Sequence, residues 1–277
     1  LEDLAPLHNP PATETIRATS AALSGATHVA TFDTAFHATL PEAARRYPVP
    51  DQWLTRWGVR RYGFHGLSVE WSVRRATELL GRSRETLRIV VAHLGGGSSV
   101  TAVDGGRSAF TSMGMTPLEG LMMATRSGSI DPGAIIRVLR GGRSLDDVAD
   151  DLEHRSGLLG VSGRSSDMRA LLSAEAAGDE RSTLAIEMFV RRAAAGIAVA
   201  ATALPGLDAI VFTGGIGENA GRVRQRITER LAALGVRPVA DGEGGDDHVL
   251  DAGRPAILRV HAREDLVIAD AAAELVQ

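Results

Sequence analysis

The sequence predicts an α/β protein, and three observations carry that reading. Leu87 to Ala92 and Leu207 to Thr213 are apolar, β-branched runs of strand length, of the kind that suits strands buried on both faces. Each runs into a glycine-rich loop, Gly95-Gly96-Gly97 in the first case and Gly214-Gly215-Ile216-Gly217 in the second. Long stretches with helical spacing separate them, notably Val69 to Leu80 and Glu180 to about Ala203. A glycine turn beside buried strands lets main-chain N–H groups face an anion with no side chain in the way, and the anion expected here is a nucleotide phosphate. Taken alone, the first loop is equally well explained as a tight structural hairpin.

The 277 residues are 44% hydrophobic and 23% charged, enough apolar material for one large domain or two lobes. A formal net charge of -4 leaves no electrostatic footprint for nucleic acid or an anionic membrane. The absence of cysteine excludes disulfides and thiolate metal sites and is compatible with a reducing cytoplasm. All 30 residues counted as Lys or Arg are arginine, so no chemistry here runs through lysine. The apolar stretch Ala193 to Phe212 is broken by Pro205, Gly206 and Asp208, and reads as a buried helix followed by a strand, not a membrane span. No secretory or transit-peptide pattern opens the sequence, and its start on Leu1 suggests a missing beginning.

Taken in order, Leu1 to Pro11 reads as a proline-punctuated loop and Thr13 to Leu23 as a helix. His28 to Phe32 reads as a short strand ending at Asp33, where α/β proteins commonly place a functional carboxylate; an N-cap or turn role explains Asp33 too. Pro48 to Trp57 is loop and short helix. His65 stands between Gly63 and Gly66 just before the helix ended by Gly81, well placed to donate to an anion, though a lone histidine is more often structural. Asp104-Gly105-Gly106 signals a hairpin turn after Val100 to Val103. Arg126, among small residues, can present a planar fork to phosphate or carboxylate, or form a surface salt bridge. Asp131-Pro132 opens a helix. Leu145 to Leu152 is a helix, and Gly157 to Gly163 reads as a flexible crossing. Ser165 to Arg169 caps the next helix. Gly214 to Asn219 is read as a loop, followed by a helix from about Ala220 to Leu234, a geometry that holds a nucleotide near a helix N-terminus. The poor match to GxGxxG argues against a dinucleotide fold. Asp241 to Asp247 is an acidic surface loop, Ile257 to Val260 a last strand, and Glu264 and Asp265 open a terminal helix. The two strand-and-glycine-loop units, facing each other across a cleft, could grip one nucleotide.

Eight segments, in order along nearly the whole chain, resemble the acetate kinase (acetokinase) family of the sugar kinase and actin-like ATPase superfamily. They are LAPLHNPP (Leu4–Pro11), FDTAFH (Phe32–His37), YGFHGLS (Tyr62–Ser68), HLGGGSS (His93–Ser99), TSMGMTPLEGLMMATRSG (Thr111–Gly128), SSDMR (Ser165–Arg169), FTGGIGEN (Phe212–Asn219) and REDL (Arg263–Leu266). The resemblance implies reversible phosphoryl transfer between ATP and acetate, giving acetyl phosphate and ADP. Position by position, it implies Asp33, His65 and Arg126 as catalytic residues, the last two stabilising the transferring phosphoryl group. His93, Leu94, Gly95, Gly96 and Gly97 would cradle phosphates. Asp167, Met168 and Arg169 would meet the adenosine, and Gly215, Ile216, Gly217, Glu218 and Asn219 would line the nucleotide cleft. Glu264 would help hold Mg²⁺ or Mn²⁺. Leu7, Phe64 and Pro117 would surround the acetate methyl.

The resemblance further implies a two-lobe, duplicated ribonuclease H-like fold and a homodimer in the cytoplasm. Residues 35–264 would be the complete second lobe; 1–34 with 265–277 would be what remains of the first. Family members begin with a strand hairpin carrying phosphate-contacting residues, and later an arginine for the carboxyl substrate; neither is in this sequence. The first lobe is therefore expected to be incomplete, with His28–Phe32 left as an exposed edge strand and the chain alone poorly soluble or inactive. Gly96 replaces an expected Asn, Val69 an expected His and Phe110 an expected Asp. A propionate or butyrate kinase is the neighbouring reading within the class. A non-catalytic nucleotide-binding remnant, or half of a split enzyme, is the alternative outside it.

Overall fold

The computed structural model describes residues 9–240, 242 and 244–276, and its elements alternate between helix and strand as an α/β chain should. Helices α1 (Asn9–Ala22), α2 (Glu42–Arg45), α3 (Gln52–Trp57) and α4 (Gly66–Leu80) precede a meander of β1 (Arg88–Leu94), β2 (Ser98–Asp104) and β3 (Arg107–Thr111). Five helices follow: α5 (Pro132–Arg140), α6 (Leu145–His154), α7 (Gly157–Ser162), α8 (Met168–Ala176) and α9 (Glu180–Ala201). The chain then returns through β4 (Ala209–Thr213), α10 (Gly214–Asn219), α11 (Gly221–Arg230), β5 (His248–Asp251), β6 (Ala256–Arg259) and α12 (Glu264–Val276).

The strands form one six-stranded sheet in the order β3-β2-β1-β4-β6-β5. β1, β2 and β3 are antiparallel neighbours, β4 joins β1 in parallel and β6 joins β4 in parallel, and β5 closes the far edge antiparallel. The long excursion α5–α9 is the crossover that a parallel return to β1 requires. Gly105 and Gly106 turn the β2–β3 hairpin with φ of 55° and 77°, the left-handed pair that only a residue without Cβ adopts easily.

Both faces of the sheet are covered, which is why β1 and β4 lack polar alternation. Val90, Ala92, Ile210 and Phe212 meet Ile186, Phe189 and Ile197 of α9, while Ile89, Val91, Val211 and Leu258 meet Val69 and Val73 of α4. Small residues let α9 come close to the sheet: a Cβ on Gly196 would reach 2.6 Å from Leu121 and 3.2 Å from Val100. Side-chain N-caps start the helices where the sequence places Asp or Ser: Asp131, Ser144, Asp167 and Asp179 each accept a main-chain N–H.

The structure corrects the sequence reading at five places. His28–Phe32 is not a strand: no partner strand lies beside it among the described residues, and Phe32 is 65% exposed. An apolar run cannot hold extended geometry without a neighbour to take its N–H and C=O groups. Gly157–Ser162 is helical, anchored by the fully buried Leu158 and ended by Gly163 in the left-handed region. Gly214–Asn219 is also helical, with the Glu218 carboxylate accepting the Gly214 N–H. The N-terminal helix begins at Asn9, with Pro10 and Pro11 in its first turn, where a missing N–H costs nothing. Finally, β5 lies beyond the acidic loop with a weak apolar signal, and β6 holds it in place.

Candidate functional site

The Gly95–Gly97 loop joins β1 to β2 and is drawn tight by its own main chain, with the Gly95 N–H donating to the Gly97 carbonyl at 2.9 Å. Across the ladder His93 faces Ser99. The His65 ring stacks on His93 with centroids 4.1 Å apart and an interplanar angle of 22°. His65 carries the one positive φ of a non-glycine residue among the described residues, 59°, at the N-cap of α4. That strained backbone is held by Asp33, whose carboxylate accepts the N–H of His65 at 2.6 Å and of Leu67 at 3.3 Å; the Gly66 N–H donates to the Asp33 carbonyl at 2.9 Å. Gly66 has to be glycine, since a Cβ there would strike Asp33 and press on Phe36. Asp33 thus ties the turn that aims His65.

Arg126 arrives from the opposite side. Its loop is pinned to α7, with the Leu158 and Leu159 N–H groups donating to the carbonyls of Met123 and Ala124 at 2.9 and 3.0 Å. The Ala124 N–H in turn donates to the Gly96 carbonyl at 3.2 Å, which fastens this loop to the glycine loop. Arg126 is 8% exposed, its guanidinium donates to the Pro117 carbonyl at 2.7 Å, and no carboxylate pairs with it among the described residues. Loss of water lowers its pKa, with Glu153 partly opposing. A buried, unpaired cation is costly to hold unless an anion is to be received there. Its Nη2 and the His65 Nε2 converge on Gly97, at 2.9 and 3.1 Å from where a Cβ on that residue would lie.

Burial, with His65 beside it, pushes the His93 pKa down to about 3, so the ring is neutral at physiological pH. Glu264 opens α12, and its carboxyl is pushed up by burial and by the nearby Asp33. No cationic side chain forms an ion pair with either acid among the described residues, and no group of three metal-ligating residues gathers there. Such a half-buried carboxyl suits a divalent cation that takes its remaining ligands from phosphates and water.

Beside the glycine loop opens a cleft of about 950 Å³ between the N-terminal end of α8 and α10–α11. Of the residues the resemblance assigns to nucleotide, Gly95, Gly96, Asp167, Met168, Arg169, Gly215, Ile216 and Asn219 line it. Leu94 and Gly217 are instead buried in the core, Gly97 points toward His65 and Arg126, and Glu218 turns inward to accept the N–H groups of Gly214 and Ala262 at 2.9 and 3.0 Å. Phe64 is half-buried, and its carbonyl accepts from His37 at 3.0 Å. Leu7 lies outside the described residues.

The cleft also includes Leu172, Ser173 and Ala176, which the sequence reading missed. Their signal was available: Met168, Leu172 and Ala176 fall on one face of a helix capped by Asp167. Arg222, in the first turn of α11, had no such signal. Ser68 and Ser99, which reach the two histidines, look in sequence like ordinary small residues of a helix and a strand.

A family model described as the Acetokinase family matches residues 1–270. The acetate kinase of a Synechococcus species is 47% identical over 286 residues, covering 99% of this chain and 69% of that protein. Among solved structures, Porphyromonas gingivalis acetate kinase superposes with a TM-score of 0.91 at 37% identity, covering 98% of this chain and 70% of that one. A propionate kinase from Francisella tularensis superposes with a TM-score of 0.85 at 37% identity, covering 95% and 68%. The chain spans between 59% and 70% of the length of the curated relatives it matches.

Proposed function

The chain belongs to the acetokinase family, and from that premise we propose that it catalyses reversible phosphoryl transfer between ATP and acetate, giving acetyl phosphate and ADP. The observation that carries this reading is the convergence of Arg126 Nη2 and His65 Nε2 on Gly97, next in the chain to the two glycines, Gly95 and Gly96, that line a nucleotide-sized cleft. Phosphoryl transfer needs little covalent help from the protein; it needs alignment and charge stabilisation of the equatorial oxygens. Arg126 supplies a fixed, poorly solvated cation, and His65 a second donor. Asp33 acts through His65 by fixing its backbone, and acetate, already an anion, needs no base. The cleft takes ADP or ATP, with its phosphates toward Gly95–Gly97. Phe64 and Pro117 border the acyl group.

Glu264 is the residue that would hold Mg²⁺ or Mn²⁺; when bound, the ion neutralises charge between the nucleotide phosphates. The division into residues 35–264 as one lobe and 1–34 with 265–277 as part of another belongs to this proposal, as do a homodimer and a cytoplasmic setting. Among the described residues no helix is long and apolar enough to cross a membrane.

The propionate kinase likeness favours a second acyl substrate. One methylene changes discrimination by only about 1–3 kcal/mol, so both acids should turn over. Hydroxamate trapping of the acyl phosphate tests the reading, with kcat/KM compared for acetate and propionate. ADP binding by calorimetry without any turnover would support the remnant or split-enzyme alternative instead.

A further inference from the structure

Each histidine of the site leans on a serine. Ser99 Oγ lies 3.0 Å from His65 Nδ1, and Ser68 Oγ lies 2.8 Å from His93 Nδ1. Both serines are buried, at 1% and 0% exposure, and among the described residues the imidazole is the hydrogen-bond partner of each hydroxyl. A neutral imidazole carries one ring proton, on either Nδ1 or Nε2. If Nδ1–H donated to the serine, the hydroxyl's own proton would be left in a buried site with no acceptor, and the full desolvation cost of that donor would fall on the fold. If the serine O–H donates to Nδ1, both groups are satisfied and the ring proton sits on Nε2. The His65 Nε2 faces Gly97 beside Arg126, and the His93 Nε2 lies 3.7 Å from where a Cβ on Gly95 would be, so both point to the glycine loop.

Building on the phosphoryl-transfer reading, we infer that Ser99 and Ser68 are positioning residues that hold His65 and His93 as neutral Nε2–H tautomers, each a ready donor to the phosphates. Neither ring then has to be protonated to do its work. The surroundings agree. The stacked rings lie too close to carry two charges comfortably, and the Arg126 guanidinium beside His65 disfavours an imidazolium there. Asp33 meets His65 through its main-chain N–H and not through the ring. The Asp33 charge favours a proton on His93, but burial and the neighbouring His65 outweigh it, and Glu264 is held protonated more readily by burial and by Asp33.

Nitrogen-15 spectra of histidine-labelled protein near neutral pH test the assignment, with His65→Asn and His93→Asn identifying the two rings. A protonated Nε2 and bare Nδ1 are expected in both. An Nδ1–H tautomer or an imidazolium in either ring would overturn the inference whether or not the protein turns over, so its failure is distinct from that of the kinase reading. In Ser99→Ala the His65 ring should become a mixture of tautomers, and Ser99→Thr should restore one. For turnover, Ser99→Ala should lower kcat about three- to tenfold with KM for ATP within about twofold. A loss that threonine does not rescue would also overturn the assignment.

Discussion

Gly97→Ala isolates the convergence of Arg126 and His65 from everything else the glycine loop does. The added Cβ would lie 2.9 Å from Arg126 Nη2 and 3.1 Å from His65 Nε2, where comfortable contacts begin at about 3.5 Å. Both side-chain ends must therefore retreat by roughly half an ångström, and at least one must leave its present line. Misplacing reacting groups by about 1 Å costs on the order of 10²-fold in rate, so a retreat of about half that should cost on the order of tenfold in kcat, about 1.4 kcal/mol of transition-state stabilisation. Stability should hardly change, within about 1 kcal/mol, because the atoms in the way are ends of side chains and Gly97 does not use the left-handed backbone region. ADP affinity should also hold within about twofold, since the cleft is lined by Gly95 and Gly96 and not by Gly97. The assay set is acyl phosphate formation, ADP calorimetry and thermal melting on one preparation. Unchanged kcat in a folded variant would refute the convergence argument, and a collapse of Tm would refute the claim that the site can yield without the fold.

Other expectations follow from the same geometry. Raising the Glu264 pKa means the folded state holds its proton more tightly than the unfolded chain, so this group's contribution to stability is complete below the unfolded value and is lost as pH rises through the folded one. Glu264→Gln should therefore raise Tm at neutral pH, the gain should vanish in acid, and the affinity for the divalent ion should fall, so that more of it is needed for half-maximal turnover. His93 works the other way: the unfolded ring takes a proton near pH 6.5 and the folded ring only at about 3, so stability falls as pH drops across that window. In melting curves His93→Gln should flatten that slope. A Cβ on Gly114 would land on Glu119 and Tyr47, which hydrogen-bond each other beside Arg61, so Gly114→Ala should cost about 1–3 kcal/mol and lower Tm by several degrees.

The sequence by itself determined the class of fold and the kinds of residue in the site. Buried strands announce themselves through continuous apolar runs, as Leu87–Ala92 and Leu207–Thr213 do, because burial on both faces removes polar alternation. Helix starts were legible at Asp131 and Asp167, since an N-cap is a local bond between neighbours. His28–Phe32 misled for the same reason: local pattern reports how well a segment would suit a strand, not whether a partner strand exists beside it. Only the tertiary structure decided which glycine-loop residues face the cleft and which, like Leu94 and Gly217, fill the core. It also decided that Asp33 grips the turn at His65 across 32 residues of sequence and that Ser99 meets the His65 ring across 34. Those contacts depend on how β1, β2 and α4 pack against one another, a property of three elements together that no single stretch of chain encodes.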